Sequence, residues 1–164
     1  MLEKLLPNIY RIAVPLPEHP LRTVNSYIIT SKERNLVIDT GWNRLESAEE
    51  LLNGLDEIGI PLSRTDLFLT HIHADHAGLT RLFKHRGTTL FCGREDLARM
   101  DHYLNISQDK SWKLLHDLAR PHGFPMGEIE AALAIHPGNR YAPAADSTFT
   151  AISNKDVIRV GDYN

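Results

Sequence analysis

The sequence predicts a layered α/β domain built from βαβ units, on three observations. Short β-rich runs separated by prolines open the chain. The hydrophobic period then lengthens from two to three or four residues. Beyond that point apolar strand-like runs and helical patterns alternate. At 164 residues the chain is the size of one compact unit, so residues 1–164 are read as a single domain.

The elements follow in order. Asn8 to Val14 alternates apolar and polar residues, and Val24 to Thr30 is rich in β-formers, so both read as strands. Pro15, Pro17 and Pro20 mark a loop between them. Asn35 to Asp39 is a short apolar strand closed by Thr40-Gly41. From Asn43 to Ile58, Leu45, Ala48, Leu51, Leu52, Leu55 and Ile58 recur at helical spacing, and Gly59 and Pro61 stop the helix. Asp66 to Thr70 is an apolar run without alternation, as in a strand covered on both faces. A second helix is predicted over about Asp75 to His85, then a strand over Thr88 to Phe91. Residues 94–136 read differently. Three helical patterns (Arg94–His102, Gln108–His122 and Met126–His136) form a helical insertion, either a pocket-shaping or partner surface or a plain structural cap. A proline-containing loop covers Asn139 to Ala145, and strands return at Phe149–Ile152 and Val157–Val160.

Composition narrows the function classes. Hydrophobic residues make up 42% and charged residues 24%, which excludes wholesale disorder. The net charge of −3 gives no general pull toward nucleic acid or acidic membranes. No apolar run reaches spanning length, and the first residues lack a signal-peptide core, so a soluble cytoplasmic protein is expected. A single cysteine, Cys92, permits no internal disulfide; at the end of a short strand it reads as a small buried hydrophobe rather than a nucleophile.

The chemistry is concentrated in Thr70-His-Ile-His-Ala-Asp-His-Ala-Gly78, directly after an apolar strand. Carboxyl ends of strands in open α/β sheets face a ligand crevice. With the chain still extended at His71 and His73, their imidazoles share a face and can converge on one metal ion. Asp75 and His76 follow as the backbone turns into a helix, and offer an oxygen and a nitrogen to a second ion. Ala74, Ala77 and Gly78 are small enough to let this backbone pack closely. Three histidines and an aspartate within six residues outweigh the bland reading of surface histidines.

His71-x-His73-x-Asp75-His76 resembles the signature of the metallo-β-lactamase superfamily. Val24-Asn-Ser-Tyr-Ile-Ile, Leu36-Val-Ile-Asp39-Thr-Gly41 and the spacing to Leu67-Phe-Leu-Thr-His-Ile-His extend the resemblance over about residues 8–92, and more weakly over 140–162. The resemblance implies an α+β sandwich of the αββα type, of which this chain is expected to be about the first half, an N-terminal fragment. It implies two divalent metal ions, zinc first, with iron or manganese as the other options. His71 and His73 would hold one ion; Asp75 and His76 would hold the other. Asp39 would orient a ligand histidine from behind, and Asp75 would also be catalytic, orienting or deprotonating the attacking water. No Thr-Pro-Gly-His element follows, so metal binding by this chain alone is expected to be weak or incomplete and its activity low. His85, His102, His116, His122 and His136 read as surface or structural residues, with His122 and His136 nearest to a pocket role.

The reading is a hydrolase of small esters or thioesters, similar to the glyoxalase II-like branch. An iron-dependent persulfide dioxygenase, a phosphodiesterase or nuclease, and a non-catalytic binding module of the same fold are the alternatives. The expected partner is a small-molecule substrate, with no nucleic acid and no membrane. Apolar sheet surface left open by half a sandwich is expected to drive self-association.

Overall fold

Seven strands in strictly sequential order form one mixed sheet in the computed structural model, which describes residues 1–105, 113, 116–141 and 148–163, apart from the side chains of 100–105 and 139. Strands β1 (Leu2–Leu6), β2 (Ile9–Pro15), β3 (Thr23–Ile29) and β4 (Asn35–Ile38) pair antiparallel. β5 (Thr65–Leu69), β6 (Leu90–Gly93) and β7 (Thr150–Ile152) then add in parallel. The switch follows from the connections. Short loops join the first four strands, whereas helix α1 (Leu45–Glu57) carries the chain from β4 back to the start of β5.

The core lies on one face of this sheet. Ile12, Val14, Ile28, Val37, Leu67, Leu69, Leu90 and Cys92 are buried there with Leu51 and Leu55 of α1. α1 sits so close that a Cβ on Gly54 would lie 2.5 Å from Ile12 Cδ1, so glycine is what admits the helix to the sheet. The opposite face is more open. Tyr27, Ile38, Phe68 and Phe91 pair across four neighbouring strands as one row, and Tyr27 is 36% exposed.

Several expectations need correction. The helix expected over 75–85 is two pieces: α2 (Ala74–Ala77) and a 3-10 turn (Thr80–Phe83). Thr80 turns its hydroxyl back onto Ala77 O at 2.6 Å, and Leu79 N donates to Thr40 Oγ1 rather than into a continuous helix. Val157–Val160 is not a strand: Val157 is exposed, and only Val160 makes an isolated bridge, to Tyr163. β1 carries no alternating signal; four of its five residues are exposed, and it exists because β2 offers it an edge.

The helical segment holds α3 (Arg94–Asn105), a 3-10 turn at Arg120–His122, α4 (Met126–Ile135) and α5 (Pro137–Arg140). The expected helix at 108–122 and the loop at 139–145 lie partly outside the described residues. Among the described residues, no helix is long and apolar enough to cross a membrane.

Candidate metal centre

Strand β5 ends at Leu69, and the chain bends at Thr70 and His71 instead of running extended to His73. The two imidazoles nevertheless meet, with ring centroids 4.6 Å apart and edge to face. α2 begins one residue later and carries Asp75 and His76 in its single turn, which brings the His76 ring to 4.0 Å from that of His71. Three histidines expected to cluster therefore do so. Their neighbour Asp75 lies with Oδ2 3.4 Å from His76 Nε2.

Asp39 organises the cluster from behind. It is 5% exposed and sits just past β4 with φ +62°, a left-handed conformation that an L-residue holds only when its surroundings fix it. Here everything fixes it. Asp39 N donates to Phe68 O at 3.0 Å, and Ser26 Oγ donates to Asp39 O at 2.8 Å. Its carboxylate accepts from Thr70 N at 2.9 Å and Thr70 Oγ1 at 2.6 Å, and pairs with His76 Nδ1 at 2.8 Å. Asp39, expected to orient a ligand histidine from behind, is hydrogen-bonded to His76.

The next residue clamps the same histidine through its backbone. Thr40 N and Thr40 Oγ1 both donate to His76 O at 2.8 Å. This close approach requires Gly78. A Cβ there would lie 2.5 Å from Asn43 N, 2.6 Å from Gly41 O and 2.7 Å from Ala74 O, all backbone atoms. The sequence marked Gly78 only as small; its necessity lies in the close approach of the β4–α1 loop to α2.

Electrostatics divide the histidines. Burial works against charge on His76, but its hydrogen bonds to Asp39 and Asp75 and their negative charges prevail, raising it to about 9. His71 moves the other way: burial, and then the positive charges of His76 and His73, lower its pKa and favour the neutral imidazole that binds metals. The hydrogen bond to His76 holds Asp75 below the usual carboxylate range despite partial burial.

The donor set fits divalent ions in kind: three imidazoles, one ionised carboxylate, and a second carboxylate on the far nitrogen of a ligand histidine. As it stands, no group of three or more His, Cys, Asp or Glu side chains among the described residues is set to hold one ion. Both nitrogens of His76 face carboxylates, Nδ1 that of Asp39 and Nε2 that of Asp75.

A second cluster borders the first and was not legible in the sequence. Trp42, 4% exposed, packs with Leu16 and Ala74, the residue between His73 and Asp75. Tyr141 stacks on Trp42 with centroids 4.6 Å apart, and His19 meets the indole edge-on at 5.3 Å. The Arg44 guanidinium lies 5.7 Å from the Tyr141 ring centroid. Of the remaining histidines, His136 takes a structural role, accepting from Gly138 N at 3.1 Å at the start of α5.

The metallo-beta-lactamase superfamily model matches residues 19–140. Among curated proteins, the lactamase-like protein ptaB of Pestalotiopsis fici is 34% identical over 94 residues, 54% of this chain and 29% of that protein. An atrochrysone carboxyl ACP thioesterase of Claviceps purpurea is 28% identical over 104 residues, 60% of this chain and 33% of that protein. Among solved structures, a metallo-beta-lactamase family protein from Thermus thermophilus superposes with TM-score 0.73 at 27% identity, over 96% of this chain and 50% of that one. The matched region thus spans about a third of these two curated relatives and half of the solved chain.

Proposed function

The chain belongs to the metallo-β-lactamase superfamily, and we propose that it supplies the His71, His73, Asp75 and His76 wall of a metal-dependent hydrolase of esters or thioesters. The observation that carries this reading is the gathering of three imidazoles and Asp75 at the carboxyl end of β5, with Asp39 bonded behind His76. His71 and His73 would hold one divalent ion, and Asp75 and His76 a second, with zinc first and iron or manganese as the alternatives. Bound ions supply Lewis acidity toward the substrate oxygen and an acidified nucleophilic water.

The chain's own residues orient and move protons. Asp39, hydrogen-bonded to Nδ1 of His76, fixes the orientation of that ring. Burial lowers the pKa of His71 and favours its neutral form, which can offer a lone pair to a metal ion. Asp75, held ionised beside His76, orients water and accepts a proton at a carboxylate oxygen. A thioester is favoured because relatives are named as thioesterases. The partner is a small molecule; the acidic net charge does not suit a nucleic-acid polyanion. A free, buried Cys92 suits a reducing compartment such as the cytoplasm. The open row of Tyr27, Ile38, Phe68 and Phe91 supports self-association of this chain, which light scattering at micromolar concentration reads directly.

Calorimetric titration with Zn2+ tests the centre, with weak uptake and low thiol release from a simple acyl-thioester expected of this chain alone. Wild type takes up Zn2+, and a variant carrying both His71→Ala and His73→Ala does not. Equal uptake by the two proteins, or none by wild type, sinks the reading. One bound iron with oxygen consumption would replace hydrolysis by the persulfide dioxygenase alternative.

A further inference from the structure

The helical segment 94–141 leaves the sheet after β6 and comes back at Tyr141, and that return point is fastened to the ligand loop. Tyr141 stacks on Trp42 at 4.6 Å with an interplanar angle of 27°. Trp42 is buried against Leu16 and Ala74, so the aromatic stack rests on the backbone between His73 and Asp75. Tyr141 also meets Arg44, the residue before α1: the guanidinium lies 5.7 Å from the ring centroid, and Nη1 donates to the phenol oxygen at 3.5 Å. Arg44 is itself steadied by Glu46 at 2.9 Å and Glu18 at 3.7 Å. His19, from the β2–β3 loop, closes the edge of the indole. Four separate segments thus converge beside the histidine cluster.

Resting on the metal-centre reading above, we propose that Tyr141 is a positioning residue: stacked on Trp42 and in contact with Arg44, it latches the end of the helical segment to the ligand loop. Through Trp42 the returning end reaches the loop that carries Asp75 and His76. Most of the stacking partner is hidden from solvent, so Tyr141 acts through Trp42 and Ala74 and not by touching the reacting atoms.

The amides of His76, Ala77 and Gly78 donate to His73 O, His73 O and Ala74 O, and their hydrogen exchange reports opening of the ligand turn. Exchange is followed by mass spectrometry on the full chain in EDTA, for wild type, Tyr141→Ala and Tyr141→Phe. Tyr141→Ala should speed exchange of these amides about tenfold, while those of β4 and β5 stay as in wild type. Tyr141→Phe, which keeps the stack and loses the phenol contact, should stay near wild type. In a Trp112→Phe background Trp42 is the sole tryptophan, and its emission should shift in Tyr141→Ala but not in Tyr141→Phe. Unchanged exchange at 76–78 in Tyr141→Ala, with faster exchange confined to 116–141, overturns the latch. Because exchange is read without metal, its outcome is separate from that of the Zn2+ titration. Trp42→Phe, which retains a ring for stacking, guards against a misfolded Tyr141→Ala: it should leave exchange at 76–78 slow.

Discussion

Replacing Gly78 by alanine sets two ordinary effects against each other, and the geometry decides between them. Gly78 closes α2 in a right-handed helical conformation, φ −58°. At such a site alanine normally stabilises, by up to ~1 kcal/mol, through helix propensity and a less mobile unfolded chain. Here the new methyl carbon would lie 2.5 Å from Asn43 N, 2.6 Å from Gly41 O and 2.7 Å from Ala74 O. Backbone atoms cannot rotate aside as a side chain does, so the β4–α1 loop and α2 must part by several tenths of an ångström. Overpacking of this kind costs ~1–3 kcal/mol, and backbone on three sides places it at the upper end. Parting the two segments also stretches the Thr40 bonds to His76 O, which contribute ~1 kcal/mol each. The net expectation is a loss of ~2–3 kcal/mol, or a Tm about 5–10 °C lower for a chain of this size. Urea unfolding followed by far-UV circular dichroism measures it. Gly127→Ala in α4, where an added Cβ meets nothing within 4 Å, is the control and should be neutral or slightly stabilising. A Gly78→Ala protein as stable as wild type would refute the claim that backbone crowding, and not helix propensity, governs this position.

Other perturbations follow the same logic. In Asp39→Asn, Thr70 N keeps the amide oxygen, so the amide nitrogen faces His76 Nδ1 and drives the ring proton to Nε2; Zn2+ affinity by calorimetry should fall ~10–100-fold, and an unchanged affinity would remove Asp39 from the site. Asp66 is 9% exposed and accepts from Arg34 Nε at 2.9 Å, Arg34 Nη2 at 2.5 Å and Thr89 N at 2.7 Å. Asp66→Ala leaves those donors without an acceptor and should cost ~2–4 kcal/mol in urea unfolding; a loss below ~1 kcal/mol would show that water replaces the carboxylate. Burial, and then the negative charge of Asp96, raises Cys92 to about 11, above its ordinary 9.0. A raised pKa favours the folded state below pH 9 and loses that contribution as pH climbs through 11, so alkylation at pH 8 should be negligible in the native protein and rapid in urea. Fast native labelling at pH 8 would contradict the burial.

What could be read in the sequence was what local spacing encodes. The amphipathic period of α1 and the apolar runs of β4, β5 and β6 carry their own signals, because each buries a face whose pattern lies within a few residues. The His71, His73, Asp75 and His76 cluster was legible for the same reason: one strand end and one helical turn contain it. Where partners lie far along the chain, the reading failed. α2 ends early because Thr40, on another strand's loop, binds both His76 O and Leu79 N. β1 forms on an edge that its exposed residues do not announce. The Trp42, Tyr141, Arg44 and His19 assembly draws on three segments far apart in the chain, so no window along the sequence contains it. Asp39 was found through the resemblance to the superfamily, yet its left-handed backbone was not, since that follows from Phe68, Ser26 and Thr70 around it.

The sequential order of the sheet also bears on how the chain folds during synthesis. Each strand hydrogen-bonds to the one made just before it, so no strand waits for a later one to find its place. Among β1 to β4 the connections are short, which keeps loop-closure entropy small there, whereas β7 joins β6 only across the whole helical segment. Thr70 completes the ring of donors around Asp39 where β5 pairs with β4. Asp39 and the histidine cluster thus draw only on residues that precede the helical segment, and Tyr141 adds its latch from the far side of it.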